Sequence, residues 1–562
     1  MIVRKPQALF GVHVHYSPRQ PKDVCLMNCK LMRVNDPSVT RSGGDGSAST
    51  GPLRTGATLA LAAAVAAAGW SVRAAEMEPS APEAEGVSSA AIVAWIDACE
   101  RELDAVHGFV ILRHGRAVAE GWWKPYAAER THTLYSQSKS FVSAAVGLLV
   151  DDGRLDLDAR VADIFPEKLP PRPSARLRAL RVRDLLTMNA GMRLAESGMC
   201  DPAGDWLANC LATPVKYDPG SRFQYDSGVT YILAAIVERK GGERVMDLLD
   251  RRLFRPIGIE GAWSSVSPQG IVCGGWGMNM TTRDLARFGQ LLLQEGRWGG
   301  QQVLSRDWVR IATAKQTVSR WGSVPDLHQG YGFQFWRCRH NGYMAYGAFG
   351  QFLIVLPDQD AVISIHAGLD SIEKELDLVW RHLLPAMEAS PLPDDPAAVR
   401  TLKARLAGLA LKTVRGVSNA PPDVLGRTYV LSGHRHRFGF RTVRLEERSG
   451  GWEAVFERAN GRTVRIPVGH GTWREGRAVF EDGICELLCS VIGEQPTAAS
   501  GAWDGRTFRM RTYLHDTFFR LDCAFTFGED GASDFALDLR GVWKGGRAKG
   551  IMKPESPEKG NH

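Results

Sequence analysis

Apolar and polar positions along the chain follow two periodicities in succession. Near the start of the patterned region, "SSAAIVAWIDACEREL" sets Ile92, Trp95, Ile96 and Cys99 at helical spacing behind two serines able to cap a helix. "GFVILRHGRAVAEGWW" then offers two β-rich runs about His114-Gly115-Arg116 and predicts a hairpin. From there to about residue 335 the pattern is mostly helical. It returns to strands in "GQFLIVLPDQDAVISIHAG", where Pro357-Asp358 marks a turn. Strands at both ends with helices between predict an α+β unit: one antiparallel sheet built from both ends, with a helical insertion.

Residues 389–424 have Pro-rich flanks around an amphipathic stretch and read as a linker. After it, short alternating runs are punctuated by "SGG", "NGR", "REGR", "WDGR" and "GEDG". In "TFRMRTY", Phe508 and Met510 fall on one face and Arg509 and Arg511 on the other. This is an antiparallel meander, and closure into a barrel removes its exposed edges. The expected organisation is a leader and spacer over 1–80, an α+β unit over 81–388, the linker over 389–424, a β-barrel-like domain over 425–550 and a disordered tail over 551–562.

A chain of 562 residues has room for two such units. Hydrophobic residues at 44% and charged residues at 23% are ordinary globular values. The net charge of +7, from 69 basic and 62 acidic residues, is small for this size, with no basic block interleaved with aromatics, which argues against a nucleic-acid partner.

Within the leader, "ATLALAAAVAAAGW" over 57–70 follows Arg54, and Val72 and Ala74 supply small residues for cleavage after Ala74. This predicts export to the periplasm or medium, with translation starting downstream of Met1, at Met32. An uncleaved anchor ranks second, because the run is short of the ~20 apolar residues needed to span a membrane. Of the ten cysteines, Cys25/Cys29 and Cys485/Cys489 are tightly spaced, but neither pair has a second pair at zinc-finger spacing. Cys200 with Cys210 is the disulfide to test in an oxidising compartment.

The chemistry concentrates in "LYSQSKSFVSAAVGLLVDDGRL". Ser136 and Lys139 are three apart at the start of a helix, so both lie on one face and the amine reaches the hydroxyl. A serine hydroxyl becomes a nucleophile when a neighbouring base takes its proton, and a lysine does this only where burial or nearby positive charge disfavours its charged form. The position at a helix start also aims free N–H groups at the developing charge. S-x-x-K alone is weak, since an N-cap serine followed by a solvated lysine gives the same letters. The apolar run after it, from Phe141 to Leu149, makes the helix buried and the lysine anomalous.

Several segments match a known pattern together: "YSQSKSFVSAAVGLLVDDGRLDLDARVADIFPE", "VRDLLTMNAGM", "PGSRFQYDSGVTYILAAIVER", "MTTRDLARFGQLLLQEGRW" and "YGAFGQFLIVLPDQDAVI". Over about residues 90–388 the chain resembles the serine β-lactamase and penicillin-binding-protein superfamily, in its class C-like and esterase branch. The wording is most similar to 6-aminohexanoate-dimer hydrolases and related carboxylesterases. The resemblance implies a β-lactamase/transpeptidase-like fold and acyl transfer by Ser136, with Lys139 as base. Tyr225, in Tyr225-Asp226-Ser227, would be the second proton-transfer group.

The resemblance also implies a strand motif Lys-Thr-Gly, which counting back from "YGAFGQ" places at Gly342-Tyr343-Met344, without the basic residue. The loss of that lysine argues against carboxylate-bearing penicillin-like or peptide-stem substrates. The oxyanion hole would use the backbone N–H groups of Ser136 and Ala345. Ser227, His328, Tyr331, Trp336 and Tyr343 are candidate pocket residues. Asp184 and Asp284 read as helix-start residues. The expectation is a small-molecule ester or amide hydrolase with no cofactor and no metal. A β-lactamase or D-Ala-D-Ala peptidase is the alternative within enzymes, and a non-catalytic binding scaffold the alternative outside them.

Overall fold

A computed structural model describes residues 33–34, 77–193, 204–433, 439–479, 494–529, 533–540 and 547–555. The expected signal segment, Cys25, Cys29, Cys200, Cys485 and Cys489 lie outside the described residues, while Cys210 is buried and unpaired. Among the described residues no helix is long and apolar enough to cross a membrane.

Helix α1 (Ser89–Glu102) starts where the serines predicted, with Ser88 Oγ accepting the Ala91 N–H at 3.2 Å. The hairpin follows as β1 (Val106–Arg113) and β2 (Arg116–Trp122). His114 and Gly115 take φ values of 50° and 73°, the left-handed geometry of a two-residue hairpin turn. The short strand β3 (His132–Thr133) leads into helix α2 (Ser138–Asp151), which is buried almost along its whole length. Such a helix needs apolar residues all round, and the run from Phe141 to Leu149 supplies them: the Phe141 ring stacks on Phe288 at 4.2 Å. Helix α3 (Ser227–Gly241) crosses beside α2 and is capped by Asp226, which accepts the Gly228 N–H at 2.8 Å.

Strands β4 (Trp263–Ser265) and β5 (Met278–Met280) pair in a small sheet with β3. Helix α4 (Thr282–Leu293) follows, and then come β6 (Trp336–Arg337), β7 (Tyr343–Gly347), β8 (Gln351–Leu356) and β9 (Ala361–Ala367). The main sheet is antiparallel in the order β2-β1-β9-β8-β7-β6, so the first and last strands of the unit meet at β1 and β9. Asp184 and Asp284 sit at helix starts, as their sequence context suggested: Asp184 accepts the Arg181 N–H at 2.9 Å, and Thr281 caps Asp284.

The linker carries helix α5 (Pro396–Ala407), which docks on α1 through Arg405 to Asp97 and Glu100. Beyond it are β10 (Thr428–Gly433), β11 (Phe440–Arg448), β12 (Gly451–Arg458), β13 (Thr463–His470) and β14 (Arg474–Val479). The last five are β15 (Glu494–Asp504), β16 (Thr507–Leu514), β17 (Arg520–Thr526), β18 (Ser533–Arg540) and β19 (Arg547–Pro554). Nine of these strands close into a ring, with β14 on the edge of β15. The meander is not wholly antiparallel: β13 closes the ring by pairing parallel with β15 at Val468–Ala499. Closure leaves the alternate apolar positions, such as Phe508 and Met510, buried inside.

The barrel is fastened to the β-lactamase-like unit beside β3. Thr133 donates its N–H to Asp516 O at 2.9 Å, and Tyr126 Oη donates to Thr517 O at 2.9 Å. Arg520 and Arg540 both reach Asp104. Among the described residues, four buried histidines, His107, His132, His366 and His515, lie at this junction. The Thr133 carbonyl can only accept, so His132 Nδ1 carries a proton at 3.0 Å from it, and His132 Nε2 then accepts from His107 Nδ1 at 3.0 Å. Protonating His132 would set two N–H groups against each other.

Burial lowers the pKa of His132 from 6.5 to about 4, and that of His515 to about 3. The native state holds these rings neutral, whereas the unfolded chain protonates them. Their contribution to stability is therefore full above pH 6.5 and is lost as pH falls from 6.5 towards 4, on the order of 3 kcal/mol for His132. Urea midpoints measured from pH 7.5 to 4.5 should fall more steeply for the wild type than for His132→Gln. A constant difference between the two across that range would show that His132 does not set the acid limit.

Candidate active site

Ser136 sits in a tight 3-10 turn, Tyr135–Gln137, immediately before α2 rather than inside its first turn. Ser138 pins this turn, its Oγ donating to Tyr135 O at 2.6 Å and accepting the Met278 N–H at 3.1 Å. Gln137 is buried, and its Nε2 donates to Ala345 O at 3.3 Å, tying the turn to β7. Tyr135 has φ of 50°, a left-handed conformation that a bulky residue adopts only where its surroundings hold it there.

Lys139 is 1% exposed, and its Nζ lies 2.9 Å from Ser136 Oγ, 3.1 Å from Ser227 Oγ and 2.6 Å from Gly275 O. The three oxygens are two hydroxyls and a carbonyl, none of them a carboxylate. They occupy the three directions of the amine, which fixes the nitrogen against the serine. Ser227, expected as a pocket residue, is a partner of the lysine instead. It reaches that place because the Asp226 cap starts α3 there.

The Tyr225 ring centroid lies 4.8 Å from Lys139 Nζ. Burial pushes the phenol pKa up, against the opposing pull of the neighbouring Ser136 hydroxyl, so Tyr225 is neutral at physiological pH. Its ring packs against Trp321 at 5.2 Å, Trp336 at 5.3 Å and Tyr331 at 6.2 Å, and Phe223 adjoins Tyr331 and Trp336. Of the candidate pocket residues, Tyr331 and Trp336 are therefore brought to the site.

His328 and Tyr343 are not. His328 is exposed and donates from Nε2 to Gly322 O at 3.0 Å, bracing the loop that carries Trp321. Tyr343 packs against Phe335 at 6.3 Å and lies under Arg337. Trp321, Phe223, Gln137 and the Gly275 carbonyl went unread in the sequence. A backbone carbonyl leaves no residue signature, and Trp321 lies in "VSRWGS", which has no periodicity.

The count along β7 needs correction. Cys338 donates its N–H to Gly342 O, whereas Arg337, opposite Tyr343, donates to Gly330 O, away from β7. Alternation then turns the backbone groups of Tyr343 and Ala345 towards β8 and those of Met344 and Tyr346 towards the other edge. The Ala345 N–H thus faces Leu353, not Ser136. β6 covers only Tyr343 and Met344, so the open edge beside the serine starts at Ala345 and offers the Tyr346 amide, followed by the 348–350 turn. The strand passes the Ser136 turn at Gly347, where a Cβ would come within 2.1 Å of Leu134 O. The segment beside Ser136 is Ala345-Tyr346-Gly347, three residues beyond the position counted from the sequence, because the "YGAFGQ" landmark itself begins inside β7. In either register the strand reads Tyr-Met-Ala-Tyr-Gly and carries no cation.

The arrangement sets a serine hydroxyl against a buried lysine amine where a helix starts beside an antiparallel sheet, with a tyrosine closing the third side. Residues 96–384 match the Beta-lactamase family, and the chain belongs to it. It is a hydrolytic enzyme related to 6-aminohexanoate-dimer hydrolase and esterases. It is 29% identical over 315 residues to the 6-aminohexanoate-dimer hydrolase of Paenarthrobacter ureafaciens, covering 51% of this chain and 79% of that protein. It is 27% identical over 213 residues to Esterase EstB of Burkholderia gladioli, covering 33% of this chain and 54% of that protein. A penicillin-binding protein homologue from Caulobacter crescentus superposes with a TM-score of 0.42 at 18% identity, covering 50% of this chain and 91% of that one.

Gly347→Ala tests the close approach. The clash with Leu134 O has to be relieved by moving backbone on one side or the other, at a cost of about 1–3 kcal/mol. A lowered thermal midpoint is expected; an unchanged one would mean that β7 and the Ser136 turn are not locked together at this point.

Proposed function

We propose that the chain hydrolyses small esters or unhindered amides through a Ser136 acyl-enzyme. The observation that carries this is the buried Lys139 amine, held 2.9 Å from Ser136 Oγ by Ser227 and the Gly275 carbonyl. Ser136 Oγ attacks the carbonyl carbon while its proton passes to Lys139 Nζ as the neutral amine. The oxyanion is met by the Ser136 N–H and an amide of the open β7 edge between Tyr346 and the 348–350 turn. Tyr225 gives its proton to the leaving oxygen or nitrogen as the bond to the acyl carbon breaks, and regains it from Lys139. Water then attacks the acyl-enzyme with its proton moving back along the same pair, and the carboxylic acid leaves as Ser136 Oγ recovers its hydrogen.

The aromatic wall of Tyr225, Trp321, Tyr331 and Trp336 favours a substrate that is apolar near the scissile bond. The cation-free β7 supports the same preference, because a substrate carboxylate would find no ionic partner on that strand. A penicillin or D-Ala-D-Ala substrate is disfavoured on the same ground. The names of the two relatives, a 6-aminohexanoate-dimer hydrolase and an esterase, agree with this substrate class. Export, with a mature chain starting at Ala75, belongs to this proposal. It is tested by N-terminal sequencing of the native protein, and a residue upstream of Arg54 would refute it.

The decisive assay compares p-nitrophenyl acetate and butyrate, a 6-aminohexanoate dimer and nitrocefin. Wild type should turn over the esters or the dimer with little nitrocefin cleavage, and Ser136→Ala and Lys139→Ala should abolish turnover. Tyr225→Phe should lower kcat by about 10²–10⁴-fold, the range for a lost general acid. Equal rates in wild type and Ser136→Ala would leave the fold as a binding scaffold.

A further inference from the structure

We propose that the C-terminal barrel is part of the acyl-transfer site: Phe518, on the turn between β16 and β17, holds Tyr135 and Phe349 in the left-handed backbone conformations on which the Ser136 turn and the 348–350 turn depend. The proposal rests on Ser136 being the nucleophile.

Two residues that are neither glycine nor asparagine take positive φ beside the reacting serine. Tyr135 precedes Ser136 in the chain with φ of 50°, and Phe349 lies in the turn after β7 with φ of 66°. Bulky side chains disfavour this conformation, so something else must hold them there. The Phe518 ring lies on Phe349 at 4.2 Å and 10°, nearly parallel, and on Tyr135 at 4.8 Å, while Tyr135 and Phe349 meet edge-on at 5.7 Å. Three rings from three separate segments thus form one clasp.

The packing shows the same coupling. Tyr135 is fully buried and packs with the apolar core of the barrel, which Ala348 and Phe349 also join. Leu134 and Phe141, on either side of it in sequence, belong to the core around the main sheet. The nucleophile turn therefore has one ring in the other unit's core.

The Phe518 turn is itself built rigidly. Thr517 Oγ1 donates to Leu514 O at 3.0 Å and accepts the Phe519 N–H at 3.0 Å. Its outer side is bonded to Tyr126 Oη and to the Thr133 N–H, three residues before Ser136. A loop merely resting on the site would not need this double attachment. Phe518 is thus a positioning residue, acting through two backbone conformations and not on the substrate.

The test separates positioning from packing and from substrate contact. In the full-length protein, kcat and KM for p-nitrophenyl acetate and the fraction of serines labelled by a fluorophosphonate are measured for Phe518→Ala and Phe518→Leu. Phe525→Leu, in the barrel core away from the clasp, reports the effect of barrel stability alone. Phe518→Ala should lower kcat by about 10–100-fold with KM within about twofold, the scale of a displaced oxyanion donor or nucleophile. Phe518→Leu should recover most of that loss, and Phe525→Leu should lower the melting temperature without changing kcat.

Glycine needs no clasp to adopt a left-handed conformation. Phe349→Gly, whatever its own effect on kcat, should therefore shrink the loss caused by Phe518→Ala when the two are combined. If Phe518→Ala does not fold, the same cycle is run with Phe518→Val, which keeps apolar bulk but is too short to reach both rings. Wild-type kcat in a folded Phe518→Ala, a rise in KM at unchanged kcat, or purely additive effects of the two substitutions would each overturn the proposal. A wild type that neither turns over ester nor reacts with the fluorophosphonate would instead refute the nucleophile assignment beneath it.

Discussion

The site depends on one buried amine. Lys139 has almost no contact with water, and its hydrogen-bonding partners are a hydroxyl in the turn before its helix, a hydroxyl at the start of α3 and the Gly275 carbonyl. Removing an amine from water is costly unless its hydrogen bonds are met, so such an arrangement survives only where the surroundings are firmly built. The long apolar face of α2, the Asp226 cap that starts α3 and the Ser138 bonds to Tyr135 O and the Met278 N–H all position those partners. The fold is in this sense a holder for a neutral-oxygen cage around one nitrogen.

Much of this was legible in the residues. The three-residue spacing that brings Lys139 to Ser136, the capping serine at 88, the His114-Gly115 turn and the alternating runs of the barrel are all local rules, and the structure follows them, save that Ser136 stands in a 3-10 turn just before the apolar helix. The sheet built from both ends of its unit followed from the order of strand-like and helix-like segments. What could not be read depends on alternation and on long-range approach. The displacement along β7 hinged on which edge each amide faces, a parity that one residue of register reverses. Trp321 and the Gly275 carbonyl come to the site through loop paths that no spacing encodes.

The barrel changes the electrostatics of the junction as well as its shape. By covering β3 it removes His107 and His132 from water and obliges both to stay neutral. It also brings Arg520 into a largely enclosed position opposite Asp104. A buried polar junction of this kind specifies one docking arrangement, since a slipped barrel would leave these groups without their partners.

The contact between Tyr126 and Thr517 joins positions 391 residues apart. Contacts of such separation form late, because the intervening chain must be ordered first. A ribosome delivers Ser136, Lys139 and Tyr225 long before it delivers β16 and β17. Between the synthesis of Phe349 and that of Phe518 the emerging polypeptide holds Ser136, Lys139 and Tyr225 with the aromatic rings of Tyr135 and Phe349 uncovered. Strands made late thus cover apolar surface beside Ser136, and the order of translation sets when that surface stops being a target for chaperones or aggregation.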